Sequence, residues 1–454
     1  MLVWGLPVTQ RSTLATYVGR LSAAALACLV LAPAVAHANG RYPNADQLVT
    51  DLGDPEHLVL RATFGTLVSQ DGGLRWTWIC EEAVGYTGDP AITILRGGSL
   101  LLAFEQNVTF SSEQGCSWSS VPLSPERRFT LDVTRDAADP SRAWVLSASL
   151  DASRRVSVLD VDTSGGESIT VMDGFAPSTI EVALSRPERL YVVGLDGDFR
   201  ASLLISDDRG LSWELRHIEP HAMAAMYVSA VDPMNPDKLY VRVDEPTADY
   251  LLVSSDAGVS WSEVLRVDGE MLGLALSPDG SRIAAGGPDV GLHVAATADL
   301  QFQLVEGGPE SLRCLTWTAR GLFACAQESV DGWTLALSTD DARTFTPLWH
   351  VQDLVPLECA ASTSVGGVCP GTWLDIASRI GAELVPGENP DPAPAKSESS
   401  CSVSPQSAAP DSVVVACALA ALLGLRRRGR PSVVRGAAHE PLEQRASLRS
   451  RERG

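Results

Sequence analysis

Acidic side chains recur through the middle of this chain at Glu105, Asp151, Asp196, Asp198, Asp244, Glu245, Asp249, Asp289, Glu328 and Asp331, each in a polar stretch beside an apolar run. Two carboxyl groups held roughly 5–10 Å apart across a glycosidic bond can hydrolyse it, one as acid and the other as base or nucleophile. Unpaired, such groups offer a surface to a cation or a basic partner. In an acidic chain they are also the ordinary content of solvated loops. Asp151, Asp196, Asp198, Asp244, Glu245, Asp289 and Glu328 are the candidate binding residues, and none is assigned a catalytic role. There is no Cys-x-x-Cys and His is sparse, so neither a metal site nor a cofactor is expected.

Six cysteines lie between residues 39 and 385: Cys80, Cys116, Cys314, Cys325, Cys359 and Cys369. An even number in an exported chain points to disulfides. A two-residue turn at Ala319-Arg320 would set Cys314 opposite Cys325 on adjacent strands, within bridging distance. Cys359 and Cys369 would close a short loop near the end of the folded part, which leaves Cys80 with Cys116.

The elements that must hold these groups are announced by a repeat. Ser254-Ser255-Asp256-Ala257-Gly258-Val259-Ser260-Trp261 has close copies carrying Ser69, Asp71, Gly73 and Trp76; Ser111, Gly115 and Trp118; Ser206, Asp208, Gly210 and Trp213; and a decayed copy with Asp340 and Phe345. The shared form, Ser-x-Asp-x-Gly-x-x-Trp, suits a turn between antiparallel strands. Ser and Asp oxygens take up backbone N–H groups, Gly supplies a positive φ, and the aromatic packs beneath. The motif resembles the Asp-box, or BNR repeat, of sialidase-like, sortilin-like and photosystem-assembly-factor-like β-propellers.

The copies begin at 69, 111, 206, 254 and 338, so two intervals are about twice the others and should hide one unit each. Ala295 to Phe302 and Asp162-Thr163-Ser164-Gly165-Gly166 sit at the two midpoints. The expected fold is therefore all-β, a seven-bladed propeller of four-stranded antiparallel blades over residues 39–351. In the first unit, Gln47 to Asp51, His57 to Thr63, Thr66 to Ser69 and Trp76 to Cys80 read as the four strands. On this reading the acidic residues lie in the loops between second and third strands, along one rim.

Residues 1–38 have a positive start, an apolar run and Ala36-His37-Ala38, the form of a cleaved export signal. Residues 352–385 read as an extension closing the propeller, with a short helix near Trp373 to Ile380. Residues 386–412 are a Pro-, Ser- and Glu-rich spacer carrying Cys401. An apolar run with an Arg cluster occupies 413–430, and a polar tail follows over 431–454. Cys401, the short apolar run and Arg426-Arg427-Arg428 resemble the Myxo-CTERM type of sorting signal, which implies cleavage near Cys401 and a surface anchor. An uncleaved single-span anchor is the alternative.

The net charge of −21 and only two Lys, Lys238 and Lys396, argue against nucleic acid as a partner. The sialidase resemblance implies an Arg triad and a Tyr–Glu pair for activity, and the Arg-Ile-Pro motif is missing; Arg282-Ile283-Ala284 is the nearest fragment. Two functions stand. One is an exported, surface-anchored, non-catalytic monomeric propeller that binds a protein or glycan or serves as an envelope scaffold, touching the membrane through its C-terminal segment. The other is a secreted glycoside hydrolase.

Overall fold

A meander of four short strands has two apolar faces, and stacking such sheets radially buries both. The computed structural model describes residues 44–383 except 123–127, 150–154, 220 and 222–223. The expected export signal, the spacer with Cys401, the apolar segment and the tail lie outside the described residues, as does Asp151. Seven antiparallel sheets follow one another along the chain. Blade 1 consists of Ala45–Thr50, Leu58–Ala62, Gly65–Ser69 and Thr77–Ile79. The other six span 91–122, 128–172, 176–217, 225–267, 273–304 and 312–349. Each first strand contacts the first strands of both neighbouring blades, the last returning to the first, so the seven first strands form the inner ring.

Polar side chains couple that ring from blade to blade. In blades 1, 3, 4, 5 and 7 the pairing of first and second strands shifts by one residue, the mark of a bulge, which re-aims side chains toward a neighbour. Thr179 Oγ1 accepts the Val228 N–H at 2.8 Å, linking blades 4 and 5. Thr316 Oγ1 donates to the Leu48 carbonyl at 2.8 Å, and Arg313 reaches Asp46 at 2.8 Å, linking blades 7 and 1. Between the sheets lie fully buried aromatics, among them Trp76, Trp78, Trp144, Trp349, Tyr191 and Tyr240.

The Ser/Asp turns connect third and fourth strands. In blade 5, Ser254 Oγ donates to Asp256 at 2.8 Å and accepts the Gly258 N–H at 2.7 Å, while Asp256 accepts the Ser260 N–H at 2.9 Å. The Ser260 hydroxyl, which donates to Asp256 at 2.5 Å, then the Ser260 N–H and the Ser254 hydroxyl, hold the Asp256 carboxyl down at about 2. Ser69/Asp71, Ser206/Asp208 and Ser338/Asp340 repeat the arrangement in blades 1, 4 and 7. In blade 2, Glu113 stands in the Asp position and Ser111 Oγ instead accepts the Leu100 N–H. The degenerate stretches at 162–166 and 295–302 are the corresponding turns of blades 3 and 6. Gly258 has φ 88°, and a Cβ there would sit 2.5 Å from Leu203 Cδ2. Gly258→Ala should therefore destabilise the protein by about 1–3 kcal/mol, read as a shift in the urea midpoint at unchanged slope.

Ring closure corrects the cysteine assignment. After blade 7 the chain crosses to blade 1, where Val355–Pro356 pairs in parallel with the outermost strand, opposite Thr77 and Trp78. It continues over blade 2 into the helix Pro370–Ile380, whose Trp373 packs at a tilt against Trp78, ring centroids 5.5 Å apart. Cys369 bonds to Cys80 and Cys359 to Cys116, not Cys359 to Cys369 or Cys80 to Cys116. The inferred pairs joined cysteines close in sequence, but the terminal segment runs across the outer edges of blades 1 and 2 and brings its own sulfurs to each. Cys314 and Cys325 face one another in register and are bonded. Three disulfides fit an oxidising, extracytoplasmic setting. Among the described residues, no helix is long and apolar enough to cross a membrane.

Candidate functional site

In an up-and-down meander the first and third turns emerge at one end and the second turn at the other. The acids expected to form a rim lie at the second-turn end, where they do not converge. Asp196, nearly buried, accepts the Asp198 and Arg200 N–H groups at 2.9 Å and so closes its own turn. Asp198 is exposed beside Arg200. Glu328 accepts from Thr334 Oγ1 at 2.7 Å and meets His350 Nδ1 at 2.8 Å, clamping the end of blade 7. Glu245 meets His221 Nδ1 at 2.7 Å. Asp249 is buried against the Met271 N–H, and Asp331 caps Glu310 and Ser311. Glu105, Asp244 and Asp289 are exposed in three different blades.

The concave surface lies at the other end. A cavity of about 670 Å³ sits on the ring axis, and all seven blades wall it: Val49, Ile94, Val133, Val182, Val231 and Leu276 from six of them, Trp317 from the seventh. A cleft of about 690 Å³ between blades 1, 2 and 3 adjoins it. The two share Asp51, Leu52, Arg135, Ala137 and Leu184, so they form one funnel with a side branch. Leu52 and Leu184 are 69% and 53% exposed at its mouth.

Three titratable groups define its electrostatics. Asp51 accepts the Gly53 N–H at 2.8 Å and meets His57 Nδ1 at 3.4 Å. Arg135 is half-buried, and among the described residues its guanidinium has no hydrogen-bond partner; burial lowers its pKa, opposed only by the charge of Asp51. Glu181, on the first strand of blade 4, lines the lumen next to Asp132 of blade 3. Burial, then the Asp132 charge, pushes the Glu181 carboxyl up to about 8, against a bond from Thr134 Oγ1 at 3.3 Å. Burial likewise raises Asp132 to about 6, although both its oxygens accept backbone N–H groups, from Val133 and Ile180, at 2.9 Å. No group of three or more metal-binding side chains occurs among the described residues.

A search for acids in loops misses these residues. The signal that could find them is a charge within a first strand, the strand that faces the axis: Asp132 and Arg135 in one blade, Glu181 in the next.

No protein-family model matches the chain, and no curated protein matches it. Solved structures do. A hydrazine synthase chain of Kuenenia stuttgartiensis matches with a TM-score of 0.50 at 14% identity, over 68% of this chain and 99% of that one. A Mycobacterium tuberculosis puromycin-hydrolyzing peptidase matches with a TM-score of 0.51 at 13% identity, over 70% of this chain and 55% of that one. Proteins as different as a hydrazine synthase and a peptidase share only the architecture with it, and the chain is a seven-bladed β-propeller.

Proposed function

We propose that this is an exported, non-catalytic binding propeller, tethered to the cell envelope through its C-terminal segment, which takes a protein or glycan partner at the axial funnel. One observation carries the reading: a mostly aliphatic funnel walled by all seven blades opens between exposed Leu52 and Leu184. Specific binding sites are concave, largely apolar and supplied with a few polar groups, and this one has Arg135, Glu181 and Trp317. The Ser-x-Asp-x-Gly-x-x-Trp turns support kinship with Asp-box propellers, and Cys401 with the following apolar and Arg-rich stretch supports the tether. The acidic second-turn end is not the proposed site, since Asp196, Glu245, Asp249, Glu328 and Asp331 hold side-chain or backbone partners of their own.

The hydrolase reading has one observation in its favour. Glu181 keeps its proton near neutrality on a cavity wall, as a general acid must. Its neighbour Asp132 is held by two backbone N–H groups and is a poor second carboxylate. Capture from envelope extract by the full chain, compared with Leu52→Asp/Leu184→Asp, tests the binding reading: loss of a captured partner in the variant is expected. Turnover in a fluorogenic glycoside panel that disappears in Glu181→Gln would overturn it.

A further inference from the structure

Arg135 stands at the junction of the axial cavity and the side cleft, and it lines both. The half-buried guanidinium has no protein hydrogen-bond partner among the described residues and is not sealed from solvent, so its N–H donors are free to take an acceptor from a ligand in the funnel. The acids of the surrounding wall are occupied elsewhere. Asp51 is taken by Gly53 and His57, Asp54 accepts the Glu56 N–H, Asp136 is ion-paired with Arg209, Glu113 accepts from Ser117, and Glu181 accepts from Thr134. Arg96, exposed on the wall of the side cleft, adds a second positive charge. Apolar groups share the walls: Leu52, Ala137 and Leu184 line both cavities with Arg135, and Val133 and Trp317 line the lumen.

Resting on the binding reading above, we infer that the funnel recognises an apolar chain ending in a single carboxylate, with the carboxylate on Arg135 and the chain in the aliphatic lumen. A guanidinium fork matches a carboxylate in two parallel hydrogen bonds. The ligand carries one negative charge rather than many, because the protein around it has a net charge of −21 and repels polyanions. A polypeptide C-terminus with apolar last residues and a free aliphatic acid both present this chemistry.

The test uses the full disulfide-bonded chain and three probes: fluorescein-labelled Gly-Ala-Val-Leu-Leu with a free carboxylate, the same peptide amidated, and decanoate as competitor. The free acid should bind roughly ten- to a hundredfold more tightly than the amide, the range for loss of a charge-assisted pair. Arg135→Gln should bring acid and amide to equal affinity, and Arg135→Lys should recover part of the difference, with unchanged thermal melting showing that the variants fold. Binding of the peptide acid without displacement by decanoate assigns the ligand to polypeptide ends; binding of decanoate alone assigns it to aliphatic acids. Equal affinity for acid and amide, a preference that survives Arg135→Gln, or no binding of either acid overturns the inference. A partner captured from envelope extract and lost in Leu52→Asp/Leu184→Asp would then leave the broader binding reading standing.

Discussion

Replacing Cys359 and Cys369 together with Ser lowers the melting temperature by roughly 10 °C. The two bridges span 243 and 289 residues, so each removes a large share of the unfolded chain's freedom, about 5 kcal/mol for one bridge in the chain-entropy model. Their contributions are not additive, because closing one shortens the loop left for the other. They also hold the parallel strand Val355–Pro356 and the Trp373–Trp78 contact in place. Paired replacement of Cys314 and Cys325, which close only 11 residues, should cost about 3 kcal/mol or less. Scanning calorimetry without reductant measures both, and a greater loss from the 314/325 pair than from the clasp would refute the assignment of closure to the C-terminal segment.

Glu181→Gln should stabilise the ring at alkaline pH and leave it nearly unchanged at acid pH. Folding lifts this carboxyl from 4.5 to about 8, so between those values the folded chain keeps a proton that the unfolded chain has released. The stability this provides is complete below the unfolded value and is lost as pH climbs toward 8. Asp132 acts in the same direction over the lower window, up to about 6, and the Arg61 charge opposes it. Gln does not titrate, so the variant's stability should fall less between pH 5 and pH 9, by about 1–3 kcal/mol once the opening of Glu181 to the lumen is discounted. Urea midpoints at pH 5, 7 and 9 read the difference directly. Parallel pH profiles for the two proteins would show that Glu181 is not held neutral in the folded ring.

The architecture was legible because its signal repeats. Each Ser/Asp turn is a local structure whose donors and acceptors lie within five residues, so Ser254, Asp256 and Gly258 disclose it without knowledge of the rest. Even the turns at 162–166 and 295–302, stripped of most motif residues, follow from periodicity. Cys314 and Cys325 were accessible for the same reason, sitting on adjacent strands joined by a short turn. The clasp was not, because Cys80 meets Cys369 only after the whole ring has formed. The funnel was hidden for a related reason. Arg135 and Glu181 come from different blades, and nothing local to either says that a first strand faces an axis rather than a packed sheet.

The clasp also bears on how the molecule is made. During synthesis Cys80 and Cys116 emerge long before Cys359 and Cys369, and oxidation in order of appearance would join the first two to each other. Oxidation in that order would call for a thiol–disulfide isomerase as well as an oxidant, and in a host lacking one the expected product is a ring whose terminal helix is undocked.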